Sequence, residues 1–240
     1  MSKNELGISY MQEGKWEEAA KAFSEAIEEN PNDAVAYINF GNVLTAVGET
    51  EKAVNFYKKA LTIDENAGAA FYALGNLYYE SEQYKDAKEF LMKAIQSGLE
   101  NSDCYFMLGM TLQQLDQMKL SMPYLQRSVE LNPEDVDARF QYALCLAHQE
   151  MYEELIRELN EILARNPKHA DALYNLGVAY AGHLEDAEKA LEYFSLALEA
   201  QADHFLAANG KKIMEQICSC RKKANILSLK QTNSTVHSIG

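Results

Sequence analysis

A small residue returns every 34 positions along this chain, at Gly7, Gly41, Gly75, Gly109, Ala143 and Gly177. A fixed period of that length means one supersecondary unit copied and stacked, so the length of 240 residues counts modules, not independent domains. Large apolar residues keep the same register, one before and three after each small residue: Leu6 and Tyr10, Phe40 and Leu44, Leu74 and Tyr78, then Leu108 and Leu112, Tyr142 and Leu146, Leu176 and Tyr180. This is the apolar stripe of a first helix. Further along each unit comes a second small residue, Ala19, Ala53 and Ala87, followed by Phe23, Tyr57 and Leu91 and then by Ala26, Ala60 and Ala94. That is a second helix. The register predicts helices near 34–47, 50–63, 68–81 and 84–97, with little or no strand anywhere.

Glycine within a helix costs about 1 kcal/mol relative to alanine, so its recurrence at one register needs a packing reason. Close approach of the two helices of a unit supplies one, with alanines expected to face the glycine. Asn30-Pro31, Asn132-Pro133 and Asn166-Pro167 stop the second helix, because the residue before proline is pushed out of helical geometry. The later units depart from the pattern. Unit four carries Ser121 and Ser128 at alanine positions and Pro123 near the start of its second helix, which predicts a late start or a bend. Unit five replaces both alanines by Leu155 and Ile162, and unit six holds one extra residue near Gly182-His183.

The recurring Leu-Gly, Tyr, Ala, Phe, Ala and Pro positions resemble the tetratricopeptide-repeat (TPR) family, and the likeness covers residues 1 to about 203. The segments AYINFGN, PYLQRSVELN and HADALYNLGVAYA are also similar to small stand-alone family members of Bacillus-type bacteria. The resemblance implies an all-α fold, a right-handed superhelical solenoid of helix-turn-helix repeats. Six repeats are expected, at about 1–33, 34–67, 68–101, 102–135, 136–169 and 170–203. A capping helix is expected over 204–224, begun by Asp203 and buried through Leu206, Ile213 and Ile217, which fall at helical spacing on one side. Residues 225–240 are polar and aperiodic and are expected to be a disordered tail.

Composition narrows the function. A formal net charge of −14 makes the surface acidic, so nucleic acid and anionic lipid are poor partners. The opening residues are polar and charged, without a secretory signal, and no run reaches membrane-spanning length, so a cytoplasmic protein with reduced thiols is expected. No phosphate-binding glycine loop, HExxH or Gly-x-Ser-x-Gly elbow occurs. Neither enzymatic activity nor a cofactor is expected. Cys218 and Cys220 point to different sides of a helix, and no metal site is expected.

The remaining signal lies on the other face of the first helices, which by resemblance lines the groove of the solenoid. On it fall Ile38, Asn39, Asn42, Tyr72, Asn76, Tyr79, Phe106, Met110, Phe140, Leu144, Tyr174 and Val178. Aromatic, Met and aliphatic side chains offer docking anchors, and the asparagines offer bonds to a peptide backbone. The same side chains also suit plain packing between neighbouring first helices, and both readings stay open at this point. Asp103, Asp137 and Asp171 recur along one lip, where they meet a basic partner edge or simply favour the helix N-terminus. Lysine is absent from the positions where the family's carboxylate clamp would need it, which disfavours an acidic C-terminal peptide. The expected function is a non-catalytic adaptor holding a protein or peptide, with cytoplasmic enzyme or RNA-modification assemblies as its setting. Self-association as a structural oligomer is the alternative, and a nucleic-acid-binding helical repeat ranks below both.

Overall fold

The computed structural model describes residues 2–236, with side chains through Arg221. First helices of successive repeats are α1 (Lys3–Gln12), α3 (Ala34–Ala46), α5 (Gly68–Glu80), α7 (Ser102–Gln114), α9 (Val136–His148) and α11 (Ala170–Gly182). Their partners are α2 (Trp16–Glu29), α4 (Thr50–Ile63), α6 (Tyr84–Gln96), α8 (Met118–Leu131), α10 (Tyr152–Arg165) and α12 (Ala187–Ala200), and α13 (Phe205–Val236) closes the series. Among the described residues there is no strand. The four predicted helices are realised as α3 to α6, within one residue at each end.

The chain divides into two compact units, Met1–Glu134 and Asp135–Gly240. In the first, α1 to α8 form four antiparallel pairs; α2 packs on α3, α4 on α5 and α6 on α7, while α1, α3, α5 and α7 touch in succession. In the second, α9–α10 and α11–α12 pair in the same way, and α13 lies on α12 and α11.

What faces each recurring glycine is not an alanine but the large residue of the partner helix. A Cβ on Gly7 would stand 2.5 Å from the Phe23 ring, and one on Gly41 2.5 Å from Tyr57. At Gly75, Gly109 and Gly177 the same atom would meet Leu91, Leu125 and Phe194 at 2.6 Å. Phe23, Tyr57, Leu91, Leu125 and Phe194 are themselves buried. Each of these five pairs is therefore locked by one large side chain crossing a bare stretch of backbone, while α9 carries Ala143 at the equivalent position.

The turn between the helices of a repeat is equally regular. Gly14 donates to the Met11 carbonyl and Lys15 to Tyr10, and the same pair of bonds recurs at Gly48 and Glu49, Glu82 and Gln83, Asp116 and Gln117, and Glu150 and Met151. This is the Schellman ending, which places one residue in the left-handed region. Gly14 and Gly48 occupy it at φ 71° and 81°, but Glu82, Asp116, Glu150 and Glu185 are forced there at 52–59°. First helices other than α5 are capped by side chains: Ser2, in a reciprocal capping box with Glu5, then Asp33, Asn101, Asp135 and His169.

Four expectations change. α8 does not begin late: it starts on register at Met118, and Pro123 sits exposed within it. α13 is rotated relative to the expected buried stripe. Leu206, Ile213 and Ile217 are exposed, while Ala207 and Met214 face inward. The reason is Gly210, where a Cβ would come within 2.8 Å of the Phe194 ring; the helix packs through its small residues and leaves the branched ones outside. Its cap is His204, not Asp203, because His204 Nδ1 accepts from the Ala207 N–H at 3.1 Å. The helix also runs past the expected break at 225, through Val236, with no glycine or proline between Gly210 and Val236 to stop it. Of the expected tail, residues 237–240 lie outside the described residues.

Left-handed geometry costs a residue with a side chain about 1–2 kcal/mol, part of which glycine gives back as entropy of the unfolded chain. Glu82→Gly is therefore expected to raise stability by about 0.5–1 kcal/mol, measured by thermal or denaturant unfolding. A lower midpoint would contradict the strain assigned to this turn.

Candidate functional site

In the first unit α3 and α5 border a cavity of about 370 Å³. Ile38, Asn42, Thr45 and Ala46 line it from α3, and Ala69, Tyr72, Ala73, Asn76, Leu77 and Glu80 from α5. Four residues of the sequence-derived face thus meet at one place. A fifth contributor comes from the opposite helix. The Tyr57 ring crosses Gly41 from α4 and brings its hydroxyl into the cavity wall, where it donates to Asn42 Oδ1 at 2.9 Å and lies 3.0 Å from Thr45 Oγ1. Tyr57 read from sequence as core; Thr45 and Glu80 gave no motif, though Glu80 is one helical turn beyond Asn76 and so shares its face.

The polar groups of the cavity are unequally satisfied. Asn42 Oδ1 is held by Tyr57, whereas Asn76 Oδ1 is buried and finds no hydrogen-bond partner among the described residues. Burial pushes the Tyr57 phenol pKa up, and the Glu80 carboxylate pushes it the same way. Burial likewise raises Tyr72, with Asp103 adding to it and a bond from the neighbouring Asn76 side chain opposing it. Ile38 is nearly buried, a floor more than a contact surface. Asn39 is taken up inside the fold, since its Nδ2 donates to Asn4 Oδ1 at 2.9 Å and ties α3 to α1. Tyr79 turns away to pack edge-on against Tyr84, 5.4 Å between ring centres. Phe106 and Met110 are half-buried on α7, and Asp103 at its start is exposed.

In the second unit the corresponding rings brace helix starts. Phe140 lies 5.0 Å from the His169 ring, and Tyr174 lies 5.1 Å from His204 and 5.8 Å from Phe194. Each histidine caps the helix that follows it, His169 accepting from the Ala172 N–H and His204 from that of Ala207, both at 3.1 Å. An acceptor Nδ1 places the proton of neutral His204 on Nε2, which faces Asp171 Oδ1 at 3.2 Å. Asp171 is thus engaged inside its own unit, while Asp137 is exposed. Leu144 is half-buried, and Val178 is exposed beside Leu206 and Ile213, where a second cavity of about 330 Å³ opens between α11 and α13.

Among the described residues no cluster of three His, Cys, Asp or Glu side chains is placed to hold a metal ion, and no helix is long and apolar enough to cross a membrane. Cys104 lies buried on α7 near Tyr72, its thiol pKa pushed up by burial to about 12, which makes it unreactive.

Tetratricopeptide-repeat family models match residues 1–66, 44–105, 102–135 and 156–205. The solved structure of YrrB, described as a TPR protein with an unusual peptide-binding site, is 49% identical, with 80% of this chain and 99% of that one covered at a TM-score of 0.75. The chain belongs to the tetratricopeptide-repeat family. The curated YrrB of Bacillus subtilis is 62% identical over 39 residues, a stretch spanning 19% of its length. Pseudomonas aeruginosa PilF shares the fold at 24% identity and TM-score 0.71, covering 86% of this chain and 94% of that one. MamA does so at 25% and 0.62, over 70% and 92%. This TPR chain is therefore a helical solenoid of a type that serves generally as a protein-interaction scaffold.

Because Tyr57 joins core and cavity, Tyr57→Phe separates the two. It keeps the ring over Gly41 but strips Asn42 Oδ1 of its donor, and it is expected to cost about 0.5–1.5 kcal/mol in denaturant unfolding. Unchanged stability would mean that the hydroxyl carries no net bond.

Proposed function

We propose that this TPR protein is a non-catalytic adaptor that holds a segment of another protein on the first-helix face of its first unit, centred on the cavity between α3 and α5. The observation that carries the reading is the buried, unpaired Asn76 Oδ1 in a cavity whose lining also includes Tyr72, Ile38 and Leu77. A buried acceptor without a donor costs about 1–3 kcal/mol, and a ligand that supplies the donor recovers it. The peptide-binding description of YrrB supports the same class of ligand. We place the protein in the cytoplasm, and assemblies of cytoplasmic enzymes, RNA-modifying enzymes among them, are the first partners to try. The acidic balance argues for a partner with a basic edge and against nucleic acid.

One observation favours the self-association alternative. Phe205, Leu206, Ile213 and Ile217 leave an apolar strip on α13 exposed. A solution mass measurement decides it, with a concentration-independent monomer expected under the adaptor reading.

Affinity capture from source lysate tests the site. Truncating an aromatic anchor typically costs 2 kcal/mol or more in affinity, about a thirtyfold loss. Tyr72→Ala with Phe106→Ala is expected to lose the principal partner while the protein stays helical. Phe140→Ala and Tyr174→Ala are expected to lower the melting temperature, since those rings brace the His169 and His204 caps. Retention of the partner by the folded Tyr72/Phe106 variant would move binding off this face.

A further inference from the structure

The α3/α5 cavity has the chemistry of a socket for one particular kind of side chain. Its walls are aliphatic, from Ile38, Ala73 and Leu77, while its polar positions are acceptor-rich: the unpaired Asn76 Oδ1 and, one turn further along α5, the Glu80 carboxylate. The other acceptor, Asn42 Oδ1, is already occupied by Tyr57. None of the residues lining the cavity is a lysine or arginine. An incoming carboxylate or phosphate finds no cation there and one fixed anion, whereas a cation with several donors satisfies both open acceptors.

We propose that this cavity receives an arginine side chain of the bound protein segment, its aliphatic stem against Ile38 and Leu77 and its guanidinium shared between Asn76 Oδ1 and the Glu80 carboxylate. The proposal rests on the reading of this face as the partner-binding one. Arginine fits better than lysine because its planar fork presents five donors in fixed directions and is less strongly hydrated, so it can bond a buried amide oxygen and a carboxylate at once. A neutral donor such as glutamine reaches the amide oxygen but leaves the carboxylate uncompensated. Two further observations agree with a negative surrounding: Glu80 and Asp103 lie near enough to act in the raising direction on the buried Tyr57 and Tyr72 phenols, and the chain carries a net charge of −14. Charge complementarity thus selects the same occupant as hydrogen-bond accounting.

The test is a titration of the isotope-labelled full chain with N-acetyl-arginine amide, followed by NMR at the Asn76 side-chain amide and the Ala73 and Leu77 backbone amides. N-acetyl-citrulline amide, which has nearly the same shape without the charge, and N-acetyl-lysine amide serve as comparisons. Arginine amide is expected to give saturable shifts at these positions, with citrulline amide at least tenfold weaker and lysine amide in between. Glu80→Gln is expected to weaken arginine binding about tenfold while melting like the parent, because Glu80 is exposed. Citrulline or lysine binding as tightly as arginine, unchanged arginine binding by Glu80→Gln, or no saturable shift at these positions would each overturn the proposal. A captured partner that Tyr72→Ala loses and Glu80→Gln keeps at full affinity would overturn the socket while leaving the face reading intact. A partner kept by both variants would overturn the face reading itself.

Discussion

Everything in this structure depends on one contact repeated along the chain: a large second-helix side chain lying across a glycine of the first. Where a Cβ would sit at Gly7, Gly41, Gly75, Gly109 or Gly177, an atom of Phe23, Tyr57, Leu91, Leu125 or Phe194 is within 2.6 Å. That contact fixes the distance and rotation of the two helices, and so decides which face of the first helix is left for neighbouring repeats. Interiors are packed densely enough that a single methyl at such a point is felt. At Gly41 the same contact reaches the site, because the ring that crosses the glycine carries the hydroxyl that binds Asn42 and Thr45. Packing and the candidate site share an atom chain there.

The helix pairs were legible because the register is redundant: glycine, aromatic and alanine positions all report the same period, so one missing member, such as Ala143 in place of glycine, changes nothing. Where a single stripe had to decide orientation, sequence misled. In α13 the residues Leu206, Ile213 and Ile217 look like the core side, but Ala207, Gly210 and Met214 form an equally periodic stripe that packs more closely on Phe194. Small residues win where a helix must approach an aromatic ring, and hydrophobicity alone does not show it. The turns escaped for another reason. Glu82, Asp116 and Glu150 occupy the left-handed position that Gly14 and Gly48 mark in the first two repeats, and nothing in their own chemistry announces it.

The candidate site was half legible. Helical geometry put Ile38, Asn42, Tyr72 and Asn76 on one face, and the structure brings them to one cavity. It could not say that Asn39 is taken up by Asn4, that Tyr79 pairs with Tyr84, or that Asp171 faces a buried histidine, since each of these depends on a partner helix. The aromatic position shared by Tyr72, Phe140 and Tyr174 shows the same division. Tyr72 borders open space, while Phe140 and Tyr174 hold the histidines that start the next helices. Tyr72 thus keeps the setting that the binding reading requires, and Phe140 and Tyr174 that of the packing reading.

The glycine contact is tested most directly by a double-mutant cycle at Gly75 and Leu91. Alanine favours a helix over glycine by about 1 kcal/mol, so Gly75→Ala would stabilise α5 if nothing stood in its way. In the parent, the new methyl meets Leu91, and the substitution is expected to destabilise by about 1–3 kcal/mol in denaturant unfolding. In the Leu91→Ala background the side-chain obstruction is gone, leaving the residue-91 backbone nitrogen at 3.3 Å, and the same substitution is expected to be neutral or stabilising by up to about 1 kcal/mol. A change of sign between the two backgrounds is the result predicted; an equal effect of Gly75→Ala in both would contradict the claim that the large residue over the glycine holds the repeat together.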